Sequence, residues 1–232
     1  MERLFNEFEP ELMDRPQPVT GELESTLRQL AFLNEHFGGH RFVRRFLSRS
    51  FRKGESVHAL DLAAGGGDFP RAMVNWGRSR GVHLKVDAVD ANSSILRIAA
   101  KMSGEYPQIS FHSGDALTFD AEQQYDLVHC SLVLHHFNAE DAVKLLRHAR
   151  KLSRRCVLVT DLERSWFTRF AVWTANRLLI HTEMTRRDGD TSVQRAFSFA
   201  EAHSLAIRAG WTKFGHRRFL FCRQALWMEL PE

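Results

Sequence analysis

Apolar positions along this chain change their period near residue 53. Before it, Leu23, Leu27, Leu30 and Phe37 recur at helical spacing, Gly38-Gly39 breaks the run, and Phe42, Val43, Phe46 and Leu47 resume it. Residues 1–53 are therefore predicted to be an amino-terminal helical cap. After residue 54, short apolar runs alternate with helical stretches, the signature of a parallel sheet covered on both faces. The predicted strands are Val57–Leu62, Leu84–Asp90, Ile109–His112, Tyr125–Ser131 and Cys156–Thr160, with helices at Phe69–Arg78, Ser93–Met102 and Ala139–Leu152.

A segment rich in Trp, Phe, Leu and Arg (164–197) interrupts this alternation. A helix at Phe199–Ala209 and strands at Lys213–Phe219 and Phe221–Trp227 follow it. Strands joined by so short a link must run antiparallel, because a parallel partner needs a long crossover. The expected fold is α/β: a doubly wound, seven-stranded, mostly parallel Rossmann-like sheet closed by an antiparallel hairpin over residues 54–232, with a helical insertion after strand five.

Composition narrows this picture only a little. With 232 residues, 44% of them hydrophobic, the chain can bury one core without disulfides or structural metal. Lys and Arg exceed Asp and Glu by 32 to 28, too small an imbalance to imply nucleic acid by itself. Cys130, Cys156 and Cys222 are widely spaced and sit in apolar runs, so they read as reduced core residues and no metal site is expected. The amino terminus has no basic segment followed by an apolar one, and no stretch is long and uncharged enough to span a bilayer. A cytoplasmic location is the expectation, as a monomer or homodimer.

The candidate chemistry lies at strand ends. Val57–Asp68 reads as a strand entering a small-residue loop that opens a helix, where an α/β sheet binds a nucleotide-like ligand; an ordinary glycine-rich turn is the competing reading. Asp61 precedes the glycines. Asp90 ends the next strand at the separation where a carboxylate reaches a ribose diol, or else caps the helix at Ser93 and Ser94. Asp115, followed by the small Ala116, comes after the third strand and can accept from an adenine amino group. Three acids at three successive strand ends describe an adenosine pocket.

LDLAAGGGD, VDAVDAN, SGDAL and YDLVHCSLVLHHF together resemble the successive motifs of class I S-adenosylmethionine-dependent methyltransferases over residues 57–160. The resemblance implies S-adenosylmethionine as cofactor and S-adenosylhomocysteine as product. It implies Asp61, Ala63, Gly65 and Gly67 around the methionine moiety, Asp90 and Ala91 at the ribose, Asp115 and Ala116 at the adenine, and Ser131 beneath the sulfonium. The family usually has glycine where Ala63 stands. The flanks ELMDRP, FGGHR and QRAFSFAEAHSLAIRAGW are similar to bacterial small-molecule methyltransferases of quinone or polyketide type, which suggests a flat, apolar acceptor methylated at oxygen or carbon.

His135 and His136 follow the fourth strand and are the candidate bases for a weakly acidic hydroxyl. Arg41 is placed to meet the methionine carboxylate. Trp166, Phe170 and Trp173, spaced along one helical face, and His181 are expected to roof the acceptor; a dimer interface and a helix docked on a membrane surface remain open for that stripe. Arg186–Asp190 reads as a polar turn. A nucleic-acid (RNA) methyltransferase is disfavoured because CSLV after strand four lacks the Asn/Asp-Pro-Pro-aromatic signature, and the basic segment RFVRRFLSRSFRK reads as a solvated helix face. A nicotinamide-dependent oxidoreductase is disfavoured because Pro70 takes the third glycine position of G-x-G-x-x-G and Asp61 would face phosphate.

Overall fold

Parallel strands buried on both faces read as unbroken apolar runs, and the central strands of this chain do so. A computed structural model describes residues 1–220 and 222–230. Its strands are β1 (Ser56–Leu62), β2 (His83–Asp90), β3 (Ile109–Ser113), β4 (Tyr125–Ser131), β5 (Ser153–Leu162), β6 (Gly215–Phe219) and β7 (Arg223–Glu229). They form one seven-stranded sheet in the order β3-β2-β1-β4-β5-β7-β6. The first five are parallel, and β7 runs antiparallel to both β5 and β6. The hairpin partners lie so close that a methyl group on Gly215 would come within 2.0 Å of the Trp227 ring.

Helices cover both faces: α1 (Gly21–His36), α2 (Gly39–Ser50), α3 (Asp68–Arg80), α4 (Ser93–Met102), α5 (Ala139–Leu152), α6 (Trp166–Leu178), α7 (Glu183–Arg195) and α8 (Phe199–Arg208). Val43, Leu47, Phe69 and Met73 of α2 and α3 pack on Val57, Ala59, Leu127 and Leu158. On the other face, Leu145, Leu146 and Trp211 pack on Val128, Cys130, Val157 and Val159. The arginines of α2 point outward while Phe46 and Leu47 are buried, as a solvated basic face requires. Local signals agree with the helix limits. Asn92 caps α4, accepting from the Ser94 and Ile95 amides, and Ser198 with Glu201 forms a capping box on α8.

Three expectations are corrected. Residues 1–20 are not part of the helical cap apart from a single turn at Leu12–Asp14; they form an extended strap tied down by hydrogen bonds at both ends. Ser94 Oγ donates to the Gln17 carbonyl (2.6 Å), and the Leu12 and Met13 amides donate to Asp188 (2.7 and 3.0 Å). The supposed polar turn Arg186–Asp190 lies within α7, because Asp188 is buried there as the anchor of that strap. The closing strand begins at Arg223, and Phe221, where it was predicted to start, lies outside the described residues. Cys130 and Cys156 are buried, Cys222 is half-buried, and all three are free.

Leu60 is fully buried in the core while Leu178 is 72% exposed. Leu60→Ala should cost about 2–5 kcal/mol of unfolding free energy and Leu178→Ala less than about 0.5 kcal/mol, measured by urea denaturation.

Candidate active site

The crossovers from β1 through α3 to β2 and from β4 through α5 to β5 lead to opposite sides of the sheet, which leaves a crevice between the carboxyl ends of β1 and β4. A cavity of about 700 Å³ occupies it. Its floor is the strand ends, its walls are α1 and the insertion helices α6 and α7, and the strap residues Glu11, Met13, Asp14, Pro16 and Gln17 close one side. Two residues at the floor hold left-handed backbone that side chains disfavour: Ala63 at φ 55° after β1 and Leu132 at φ 58° after β4. Strain of this kind gathers at functional sites. It also gives the physical reason for the glycine the family usually has where Ala63 stands.

Among the predicted cofactor residues, Asp61, Ala63, Gly65, Asp90, Ala91, Asp115, Ala116 and Ser131 all line this one cavity. Asp61 is buried and accepts from His129 Nδ1 at 2.6 Å; burial pushes its carboxyl above the usual range even though His129 opposes the shift. Asp90 receives the Gly65 amide on one oxygen and the Asn92 amide on the other, both at 2.8 Å. Burial raises its pKa, against those two hydrogen bonds. Asp115 is exposed and takes the Leu117 amide at 2.6 Å, with Ala116 buried beside it. Ser131 shares a 2.7 Å hydrogen bond with Thr160 on β5.

The structure places six other predicted residues elsewhere. Arg41 is exposed on α2 and lines no part of the cavity, because the inward face of that helix is taken by its apolar residues. Gly67 turns away as the left-handed cap of α3, packed near Phe111. Trp166, Phe170 and Trp173 face outward from α6, and its opposite face, Ala171, Val172 and Ala175, forms the cavity wall. His181, also outside the cavity, is exposed at the turn after α6, where its amide donates to Gln29.

A buried cation that the sequence reading missed lies in the cavity. Arg223 on β7 donates through Nη2 to Asn34 Oδ1 (2.8 Å), while among the described residues its buried Nη1 has no hydrogen-bond partner. Burial lowers its pKa, against the nearby Asp161 and Asp68. Asn34 in turn donates to Asp68 (2.9 Å), which also meets His40 Nε2 (2.8 Å), and His40 Nδ1 meets Glu35 (2.7 Å). The available signal was a lone arginine opening an apolar closing strand.

His135 and His136 both line the cavity, in different settings. His135 is buried; its Nδ1 and backbone amide both bond Asp161 (2.7 and 3.0 Å), and its Nε2 lies 3.6 Å from Glu11. Burial would raise the Asp161 carboxyl, but the charge and hydrogen bond of His135 hold it below the usual range. Ser192 Oγ donates to Glu11 at 2.8 Å. Glu11, His135 and His136 offer one ligating atom each within 4.8 Å of one another, so the corner can hold a proton or a small cation. His136 Nδ1 bonds Asp14 at 2.9 Å. Burial alone would lower the His136 pKa, yet Asp14, with Glu11 and Asp161 beyond, raises it from 6.5 to about 9.

The His136–Asp14 pair therefore stabilises the fold fully below pH 6.5 and loses that contribution as pH rises through about 9. On the acid side, Asp14 is held below its usual 3.8, so the pair is also lost as pH falls under that value. Asp14→Asn should return the His136 titration, followed by imidazole NMR, toward 6.5 and flatten the alkaline limb of the stability profile.

Residues 59–155 match the family model for the methyltransferase domain. No curated protein matches the chain significantly. Solved structures resemble its fold at low identity. Magnesium protoporphyrin IX methyltransferase from Synechocystis PCC 6803, bound to S-adenosylhomocysteine, is 15% identical with a TM-score of 0.58, the alignment covering 94% of this chain and 90% of that one. An S-adenosylmethionine-dependent methyltransferase from Aquifex aeolicus is 13% identical with a TM-score of 0.63, covering 89% and 97%. Human N-acetylserotonin methyltransferase, in complex with S-adenosylmethionine, is 17% identical with a TM-score of 0.62, covering 88% of this chain but 54% of its own. Over residues 59–155 the chain is thus similar in sequence to a methyltransferase domain, and its fold resembles those of the solved S-adenosylmethionine-dependent methyltransferases.

Proposed function

We propose that this chain methylates a small, largely apolar acceptor at a hydroxyl group, using S-adenosylmethionine bound at the carboxyl ends of β1, β2 and β3. The observation that carries the reading is the pairing, in one cavity, of a buried arginine whose Nη1 has no hydrogen-bond partner among the described residues with carboxylates at three successive strand ends. An amino-acid head joined to an adenosine needs that donor set.

When bound, the cofactor supplies an electrophilic methyl group on a sulfonium. Arg223 Nη1 meets the methionine carboxylate, which relieves an unsatisfied buried donor. Asp61 faces the ammonium group, and that charge offsets the desolvation that raises its carboxyl. Asp90 accepts from the ribose hydroxyls while its two backbone bonds hold it still, and Asp115 accepts from the adenine amino group. Leu30, Leu33, Leu162, Val172 and Ala175 enclose the acceptor in an apolar space that excludes water.

His135 takes the acceptor's hydroxyl proton on Nε2. Asp161 fixes the other ring nitrogen as the donor and steadies the charge that forms, and Glu11 stands at 3.6 Å to share the proton. Alignment of hydroxyl and methyl group supplies the rest of the rate.

Calorimetry with S-adenosylhomocysteine and NAD tests the cofactor: binding of the first and none of the second is expected, and the reverse overturns the reading. Arg223→Gln and Asp90→Ala should each weaken S-adenosylhomocysteine binding by about 1.5–3 kcal/mol, the worth of a charge-assisted hydrogen bond; a folded variant with unchanged affinity removes that residue from the site. On an acceptor found by screening phenols and hydroquinones, His135→Ala should lower turnover by about two to four orders of magnitude at unchanged cofactor affinity. Wild-type turnover in that variant across the pH range would leave proximity alone as the mechanism.

A further inference from the structure

Among the described residues, one stripe of α6 stands exposed to solvent. Trp166, Phe170 and Trp173 are 76%, 59% and 47% exposed, and with Arg177 they fall within about 60° of helical arc. The Arg177 guanidinium stacks over the Trp173 ring at 4.6 Å. From Ser165 to Thr182 the chain carries Arg169 and Arg177 and no carboxylate, and both guanidinium groups are exposed. Directly behind this stripe, Ala171, Val172 and Ala175 form the wall of the cavity. Phe37 of the opposite wall both lines the cavity and reaches solvent, and Phe32 on α1 and Leu178 and Leu179 at the end of α6 are exposed as well.

We propose that this face docks on an anionic lipid surface, and that the acceptor is a lipophilic molecule taken from that layer, an inference that rests on the methyltransferase reading above. No helix among the described residues is long and apolar enough to cross a membrane, so the contact is interfacial. Indole and phenyl rings with arginines at their edge suit the boundary between headgroups and acyl chains, where the rings enter and the guanidinium groups pair with phosphate. A second copy of the chain suits it less well. A two-fold contact through α6 would set Arg169 and Arg177 of both copies on one face with no acid between them. An anionic headgroup layer reverses that penalty, each basic side chain near it adding to the attraction. The position of the stripe on the outer side of a cavity wall accounts for rings that do not line the cavity itself.

The test is co-sedimentation of the full chain with vesicles of phosphatidylcholine, alone or containing phosphatidylglycerol. The expected result is binding to the anionic vesicles only, weakened by salt. It should fall about tenfold or more in a Trp166→Ser, Phe170→Ser double variant and in an Arg169→Glu, Arg177→Glu double variant. Both variants change exposed side chains, so melting temperature and S-adenosylhomocysteine affinity should match the unchanged chain. Sedimentation no greater with anionic than with neutral vesicles, or unaffected by the aromatic substitutions, overturns the proposal. So does a dimer by light scattering that the Trp166→Ser, Phe170→Ser variant splits. Loss of cofactor binding in the unchanged chain would instead strike the methyltransferase reading and leave the docking result standing.

Discussion

Parallel strands can be joined only by crossovers, and a sheet wound in two directions must contain one place where neighbouring strands send their chains opposite ways. Here that place is β1 beside β4. No helix covers the strand ends there, so backbone and side chains that would otherwise be packed face a cavity. The cavity floor tolerates Ala63 and Leu132 at positive φ because the strands beneath them, Leu60, Leu62, Val128 and Cys130, are wholly buried and leave the turns no freedom. The site is thus a consequence of winding, made specific by which residues end the strands.

The sheet alone would leave that cavity open, and a chain of polar contacts couples its walls. Asn34 is the hinge of this chain: its amide nitrogen donates to Asp68 and its oxygen accepts from Arg223, so one side chain joins α1 to α3 and to β7. Exchange of its oxygen and nitrogen would set donor against donor at Arg223 and acceptor against acceptor at Asp68, so the orientation follows from its neighbours. His40, held between Glu35 and Asp68, adds α2 to the same set. Breaking any member would strand a buried charge, the costly outcome for a buried network. On the far side, Asp188 holds the strap through two backbone amides, and Asn92 joins the strap to the start of α4.

The succession of strands and helices and the acids at strand ends were legible because both follow from local pattern: apolar runs with a crossover between them, and a carboxylate where each run stops. The remainder depended on direction, which periodicity does not carry. The spacing of Trp166, Phe170 and Trp173 puts them on one face, but nothing in that spacing says whether the face looks inward, and the small Ala171 and Ala175 took the inner side. Likewise a cation was sought near the glycine break at Arg41, whereas the buried cation that lines the cavity is Arg223, remote in sequence and adjacent only once β7 pairs with β5. The strap was read as helix because Glu11 and Asp14, which face the histidines, sit in a stretch whose only signals were short and polar.

The adjacent histidines look equivalent in sequence and are not equivalent in the fold. His136 gives Nδ1 to Asp14 and is held protonated up to about pH 9, so near neutrality it has no lone pair with which to take a proton. Its role is that of a fixed positive charge between the strap and the cavity. His135, one residue earlier, points its Nδ1 at Asp161 on β5 instead, and its Nε2 is directed to Glu11 on the strap. The two rings lie 4.2 Å apart between centroids. The strap, by bringing Asp14 to one ring and Glu11 to the other, gives the two histidines their different surroundings.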